Sequence, residues 1–286
     1  METLRKLAGE DNSIKYLFQL DDKNTIETLY MYDKDSKLTY HSTVCVSSQV
    51  GCSMGCKFCA TGMQGFIRNL SVDEIIEQVN TCNIYCSNQG IIPIDAVVFA
   101  GMGEPLLNYE NVKAAILEIN SRFGIKCFEL ATVGIVPQIY SMIEDFTGKD
   151  IFIRLNLSLH ASSDDKRKML IPYTSKHDIH EIICAAVDYA KAFNTKVRIR
   201  YMLIKGVNDS DEDIARLKKL LGNKPVKLVI SQYNDNDIQG LIAPEQSEIQ
   251  DFHDKISKSI ECEIFHNFGS RINGGCGQLR QTGLNE

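Results

Sequence analysis

Cys52-Ser-Met-Gly-Cys56-Lys-Phe-Cys59 is the stretch on which the reading of this chain turns. Three thiols lie within eight residues, and no fourth cysteine stands close by. Iron-sulfur clusters are normally closed by four cysteine thiolates. A three-cysteine loop therefore suits a four-iron cluster with one iron left open for a ligand, as catalytic metal sites keep one position open. Two other readings compete. Structural zinc usually joins two short Cys/His clusters, whereas this loop stands alone. A plain electron-carrying cluster would want the fourth thiolate.

Outward from this loop the chain reads as strands alternating with helices. Apolar and β-branched runs at 44–47, 96–100, 127–132, 152–159, 196–203, 227–231 and 262–268 are separated by amphipathic segments of helical length. Ser71 followed by Glu74 forms a capping box, and Val72, Ile75, Ile76 and Val79 then share one helical face. Repeated strand-helix units imply parallel strands with right-handed crossovers. The expected fold is α/β, a partial TIM-type (β/α)6 barrel. Before it, residues 14–20, 25–32 and 37–47 read as a small N-terminal β meander joined by polar turns, the second at Asp33-Lys34-Asp35. The expected division is a β-rich appendage over 1–40 and the barrel over 41–286. Barrels of this type keep their chemistry at the C-terminal ends of the strands. Cys52, Gly101-Met-Gly103-Glu104-Pro105, Ser158-Leu159-His160 and Tyr233-Asn234 all follow or close expected strands.

At 286 residues the chain is long enough for a full core. Its ten cysteines, the absence of an apolar leader and of a membrane-length apolar stretch, and a motif that needs reduced thiols point to the cytoplasm rather than to a membrane or a disulfide scaffold. A net charge of -6 argues against a generally basic nucleic-acid coat protein, though a local basic patch can still hold phosphates.

Four collinear motifs carry a closer likeness: Cys45-Val-Ser-Ser-Gln-Val-Gly-Cys52, Gln64-Gly-Phe-Ile-Arg68-Asn-Leu70, Gly101-Met-Gly-Glu-Pro105 and Cys276-Gly-Gln-Leu279. Together they resemble the radical S-adenosylmethionine adenine methyltransferases of ribosomal and transfer RNA, which include C2-adenine methylases and a C8-adenine methylase of antibiotic resistance. The resemblance implies a [4Fe-4S] cluster on Cys52, Cys56 and Cys59, with S-adenosyl-L-methionine chelating the open iron. It implies that Cys276 accepts a methyl group and passes one carbon to the base, and that Cys45 releases the product by attacking the sulfur of Cys276. An external electron donor and a thiol reductant are implied as partners; the oligomeric state is not. Gly103, Glu104, Ser158, Leu159, His160 and Asn234 match cofactor contacts of the family. Glu27 matches a glutamate credited with proton removal from the methylated adduct, although on its own strand it reads as an outward residue.

The chain also departs from the family pattern. Family members usually carry a further N-terminal RNA-binding domain, and this chain begins almost at the meander. Lys57, Arg68, Lys166-Arg167-Lys168, Arg198 and Arg200 are the remaining basic candidates for RNA, each otherwise a solvated surface charge. Ala131 stands where the family often has a serine near the cofactor. Cys82, Cys86, Cys127, Cys184 and Cys262 read as ordinary thiols. The favoured activity is methylation of adenine C2 in RNA. The alternatives are C8, a small heterocyclic substrate, or a non-catalytic iron-sulfur sensor, for which neither Cys45 nor Cys276 would be needed.

Overall fold

The computed structural model describes residues 1–33, 40–234, 240–265 and 268–280. In chain order the strands and helices are β1 (Glu2–Ala8), β2 (Ser13–Gln19), β3 (Thr25–Tyr32), β4 (Ser42–Val46), β5 (Gln49–Gly51), α1 (Ala60–Met63), β6 (Phe66–Asn69), α2 (Val72–Gln89) and β7 (Ala96–Phe99). They continue as α3 (Tyr109–Phe123), β8 (Cys127–Thr132), α4 (Val136–Phe146), β9 (Phe152–Ser158), α5 (Asp164–Leu170), α6 (Ile179–Ala192), β10 (Val197–Leu203), α7 (Asp211–Leu221), β11 (Val226–Gln232), α8 (Gln246–Ile256) and β12 (Cys262–Ile264).

All but β5 and β6 belong to one sheet, ordered β1-β2-β3-β4-β7-β8-β9-β10-β11-β12. The meander is antiparallel and joins β4 antiparallel, with Leu29 opposite Cys45. From β4 to β12 each neighbour is parallel, joined through covering helices. The expected α/β architecture is thus present, with the meander continuous with the barrel sheet. Part of the expected 37–47 strand and part of the 262–268 strand lie outside the described residues, as do Lys34 and Asp35 of the second turn. Strand β1, helix α1 and a separate β5–β6 ribbon that brackets the cysteine loop were not expected from the sequence.

Strand β10 shows how sequence curls the sheet. Val197, Ile199, Tyr201 and Leu203 pack outward into the main apolar core with Ile182 and Tyr189 of α6 and Leu217 of α7. Each fully buried Ile or Leu on that face contributes about 1.5–3 kcal/mol. The alternate residues Arg198, Arg200 and Met202 face a cavity of about 320 Å³. The same alternation brings Leu29 and Met31 of β3, Thr43 and Cys45 of β4, Glu129 and Ala131 of β8, and Asn156 and Ser158 of β9 to that one cavity. The sheet therefore wraps a common lumen while its edges, β1 and β12, pair with no further strand among the described residues.

Helix α2 begins with the expected capping box. Glu74 N–H donates to Ser71 Oγ at 3.2 Å and Ser71 N–H donates to Glu74 Oε2 at 2.9 Å. The helix stops at Gly90, whose φ of 65° is the left-handed cap that glycine adopts without penalty. No helix among the described residues is long and apolar enough to cross a membrane.

Candidate active site

The cysteine loop leaves the sheet at a neck only glycine can form. Gly51 has φ +71°, and a Cβ there would lie 2.0 Å from Gly65 O. This close approach lets Cys52 N–H donate to Gly65 O at 2.8 Å and closes the β5–β6 ribbon around the loop. Within it, Met54 and Phe58 are buried in a satellite apolar cluster with Val133, Leu170 and Tyr233. Gly62 of α1 sits against the loop backbone: a Cβ there would be 2.9 Å from Cys56 N. Lys57 N–H donates to Leu170 O at 2.9 Å, fastening the loop to α5.

Cys52 and Cys56 are buried, Cys59 is partly exposed, and none is in a disulfide. Burial pushes the Cys52 thiol up to about 12 and the Cys56 thiol well above its usual range, and the neighbouring cysteines raise each further. Among the described residues no three His, Cys, Asp or Glu side chains converge as a single metal ion requires. A four-iron cluster asks something different, one thiolate per iron, and three adjoining thiols with the positive charge of Arg167 beside Cys56 fit that demand. Cys52, Cys56 and Cys59 are the residues that would hold it.

Around the loop stand the other expected residues. Gly103 has φ +102°, and a Cβ would meet Gln49 Cβ at 2.6 Å, so the glycine is required where this turn presses on β5. Glu104 is buried; its Oε1 accepts from Leu106 N–H at 3.1 Å and its Oε2 from Val133 N–H at 2.9 Å. Burial raises its carboxyl to about 7 despite those donors. Ser158 and His160 line the cavity, whereas Leu159 between them is buried in the main core and does not line it. His160 has φ +55°; its Nδ1 accepts from Met202 N–H at 3.0 Å, and its ring meets Phe58 edge-on at 4.9 Å between centroids. Burial, with Arg167 and Arg200, lowers His160 to about 3, so the ring is neutral with its proton on Nε2. Ala131 lines the cavity too.

Cys276 arrives from the far end of the chain. It is half-buried and lines the same cavity as Cys45 and Cys59. It is close enough to raise both their thiols electrostatically, and burial together with Cys276 pushes Cys45 up to about 12. Asn234 Nδ2 donates to Cys276 O at 3.0 Å. Ala60 N–H donates to Gly277 O at 2.8 Å, and Thr61 Oγ1 donates to Leu279 O. On the other flank Lys15 Nζ donates to Asn273 O at 3.2 Å while pairing with Glu27 Oε1 at 2.8 Å, and Glu27 Oε2 accepts from Arg280 N–H at 3.0 Å. Glu27 is therefore buried under the Cys276 loop, not outward; the residues that cover it come from β2 and from the C-terminus, which its own strand pattern cannot reveal. Burial raises its carboxyl, with Lys15 opposing.

Several basic candidates for RNA are occupied within the fold. Arg68 bridges Asp22 at 2.6 Å and Glu74 at 2.8 Å, and Lys166 holds Asp213 at 2.7 Å. Arg198 lies inside the cavity within 3.4 Å of Glu129, and Arg200 inside it over the Phe265 ring at 4.0 Å. Arg167 is buried, its Nη2 donating to Val133 O and to Ser158 O. It sits in the charged run Asp164-Asp-Lys-Arg-Lys168, which reads as solvated; its spacing of three from the buried Leu170 was the one available signal. Lys15 had no such signal.

The pattern of the Radical SAM superfamily matches residues 46–217, which include the cysteine loop but neither Cys45 nor Cys276. A probable dual-specificity RNA methyltransferase RlmN of Dictyoglomus thermophilum is 39% identical over 280 residues, 96% of this chain and 78% of that protein. Its counterpart in Clostridioides difficile is 40% identical over 95% of this chain and 77% of its own length. The crystal structure of a radical SAM methyltransferase from Sphaerobacter thermophilus superposes with a TM-score of 0.90 at 32% identity, covering 98% of this chain and 81% of that one.

Proposed function

This chain belongs to the radical SAM superfamily, and from that premise we propose that it methylates C2 of an adenine in ribosomal or transfer RNA through an S-methyl group on Cys276. The observation that carries the proposal is the meeting of Cys276 with both Cys45 and the cluster loop at one cavity. An iron-sulfur sensor has no use for that convergence.

A [4Fe-4S] cluster on Cys52, Cys56 and Cys59 would supply the one-electron reducing power that radical chemistry on S-adenosylmethionine requires. Adenine C2 is electron-poor and does not attack a methyl sulfonium, so the chain's own sulfur must carry the carbon. Cys276 accepts the methyl group, offers it for hydrogen abstraction and then tethers the base. Its glycine neighbours, Gly277 at φ +79° among them, give the loop the backbone freedom such a path requires. Glu27 takes the C2 proton while the adduct gives up its unpaired electron to the external redox partner, and for this the carboxylate must exchange the Arg280 N–H for the adduct. Cys45 then attacks the Cys276 sulfur, the S–CH2 bond breaks, the departing carbon takes up the Cys45 proton to become the methyl group, and the resulting disulfide is reopened by a thiol reductant. Glu104 receives the methionyl ammonium as a charge-assisted partner. Ser158 and His160 line the cavity where the cofactor would sit, and Gly103, Leu159 and Asn234 would complete its surroundings. Enzymes that modify a base unstack it into a pocket, and the 320 Å³ cavity with Arg200, Phe265 and the apolar Leu29 and Met31 suits a flat heterocycle. The ten free thiols support work in the reducing cytoplasm with an external electron donor.

Anaerobic, cluster-loaded protein given S-adenosylmethionine, reductant and ribosomal or transfer RNA should yield 5'-deoxyadenosine and 2-methyladenosine, and digestion should recover S-methylated Cys276. Formation of 8-methyladenosine, or an unmethylated Cys276 with RNA product present, would overturn the assignment.

A further inference from the structure

The described residues leave one buried cation with donors that have no acceptor. Arg167 is 1% exposed, and while its Nη2 serves the carbonyls of Val133 and Ser158, its Nε and Nη1 have no hydrogen-bond partner. Three of the five guanidinium N–H bonds are thus idle in a dry setting, where an unpaired donor on a charged group is expensive to keep. Such a group persists in a fold when something absent from the apo protein completes it.

Three groups that can carry negative charge lie near enough to act on this guanidinium: Cys56, Asp164 and Glu104. Asp164 Oδ1 is taken by Ile179 N–H at 2.8 Å, and both oxygens of Glu104 accept backbone N–H groups. None of the three is hydrogen-bonded to Nε or Nη1; Cys56 acts on the guanidinium most strongly of them, and it belongs to the thiol tripod.

We propose that Arg167 is the counter-cation of the cysteine tripod, its Nε and Nη1 facing the negative charge that Cys56 and its neighbours carry as thiolates on a bound cluster. The inference rests on the radical SAM reading and adds a residue to it. Arg167 thereby acts as a positioning residue: it ties the ends of β8 and β9 to the cluster's edge and tunes the cluster's potential. Net charge and hydrogen bonds to sulfur are what set that potential. A fixed positive charge favours the reduced, more negative cluster, so removing it lowers the potential.

The test is a redox titration of the loaded full chain, followed by the cluster's EPR signal, first without S-adenosylmethionine and without RNA. Arg167→Met should lower the reduced-to-oxidised ratio at fixed potential about tenfold, equivalent to about 59 mV for a one-electron couple. Arg167→Lys, which keeps the charge, should restore most of the shift. If the Met variant does not load a cluster, Arg167→Gln, which keeps an N–H for the two carbonyls, carries the same prediction. An unchanged potential in the loaded neutral variants overturns the proposal. So does an effect that appears only after S-adenosylmethionine is added, which would assign the guanidinium to the cofactor's carboxylate, or failure of all three variants to load, which would make its role architectural. Loading by the Lys variant alone supports the charge requirement. A wild-type chain that takes up no cluster would instead sink the family reading.

Discussion

Two cysteine loops meet at the cavity, and they are held by opposite means. The Cys52–Cys59 loop is short-range architecture: a ribbon closes its neck, and Met54 and Phe58 sink into apolar surroundings. The Cys276 loop is long-range and held largely by hydrogen bonds to β2, β3, α1 and the end of β11, with Leu279 beyond it buried in the main core. Apolar burial cannot be exchanged piecemeal, whereas hydrogen bonds contribute about 0.5–1.5 kcal/mol net each and can be swapped one at a time. The proposed chemistry asks the first loop to stay and the second to travel.

The largest effects should come from removing a sulfur on either side, and they should differ in kind. Cys56→Ala is expected to abolish cluster binding, read as loss of the brown chromophore and of all 5'-deoxyadenosine. Cys276→Ala should keep the chromophore and lose RNA methylation completely. Equal loss of the cluster in both variants would break the distinction between a fixed and a mobile loop.

Next in size is the ion pair beneath the mobile loop. Lys15 and Glu27 are both buried, and breaking a buried pair by removing one partner costs about 3–5 kcal/mol. Lys15→Met should lower stability to denaturant by that order and speed alkylation of Cys276 by iodoacetamide in the apo protein. The double variant Lys15→Met/Glu27→Gln should be less destabilised than Lys15→Met, because no buried carboxylate is then left unpaired. A Lys15→Met protein with unchanged alkylation would mean that the loop is fixed by something else.

This contrast also marks what could be read from sequence. The cluster loop was legible because its chemistry lies in a local spacing, and the parallel strands because an outward face of Val197, Ile199 and Tyr201 alternates with an inward polar one. Strand β1 was not, since its pattern is mostly exposed and lacks an apolar face. The β5–β6 ribbon was not, because Gln49–Gly51 is too short to show a period and Phe66–Asn69 is mostly exposed. Cys276 was found by motif likeness alone. The burial of Glu27 depends on Lys15 of the neighbouring meander strand and on Arg280, which is remote from it in sequence, and Arg167 hides in a run of charges; no period within the Glu27 strand or the Arg167 helix encodes these partners.

A milder effect concerns pH. Burial raises Glu104 to about 7, so below that the carboxyl is largely neutral and above it ionised. Only the ionised form attracts an ammonium group, so affinity for S-adenosylmethionine should rise with pH through about 7, by up to about tenfold per unit on the acid side. Glu104→Gln should be weak and flat across the same range. The sign for folding is opposite: with its folded value raised, Glu104 contributes stability to the apo protein that is present below about 4.5 and lost as pH rises through about 7. A titration of binding by equilibrium dialysis that shows no pH slope would remove Glu104 from the ammonium site and leave it as part of the fixed region alone.

The smallest expected effect lies at the seam where the two loops touch. Thr61, just after the cluster loop, donates its hydroxyl to Leu279 O, three residues beyond Cys276. Thr61→Val keeps the shape and deletes the donor, leaving a buried carbonyl short of a partner, at a cost of about 1 kcal/mol. Cluster content should fall little, since Cys59 loses the Thr61 hydroxyl but keeps the backbone N–H groups of Thr61 and Gly62 and no packing of Met54 or Phe58 is touched, while Cys276 alkylation should quicken by roughly fivefold, the factor that about 1 kcal/mol gives. Were the cluster lost instead, the two loops would form one rigid body, and the mobility assigned to Cys276 would have to come from opening the entire mouth of the barrel.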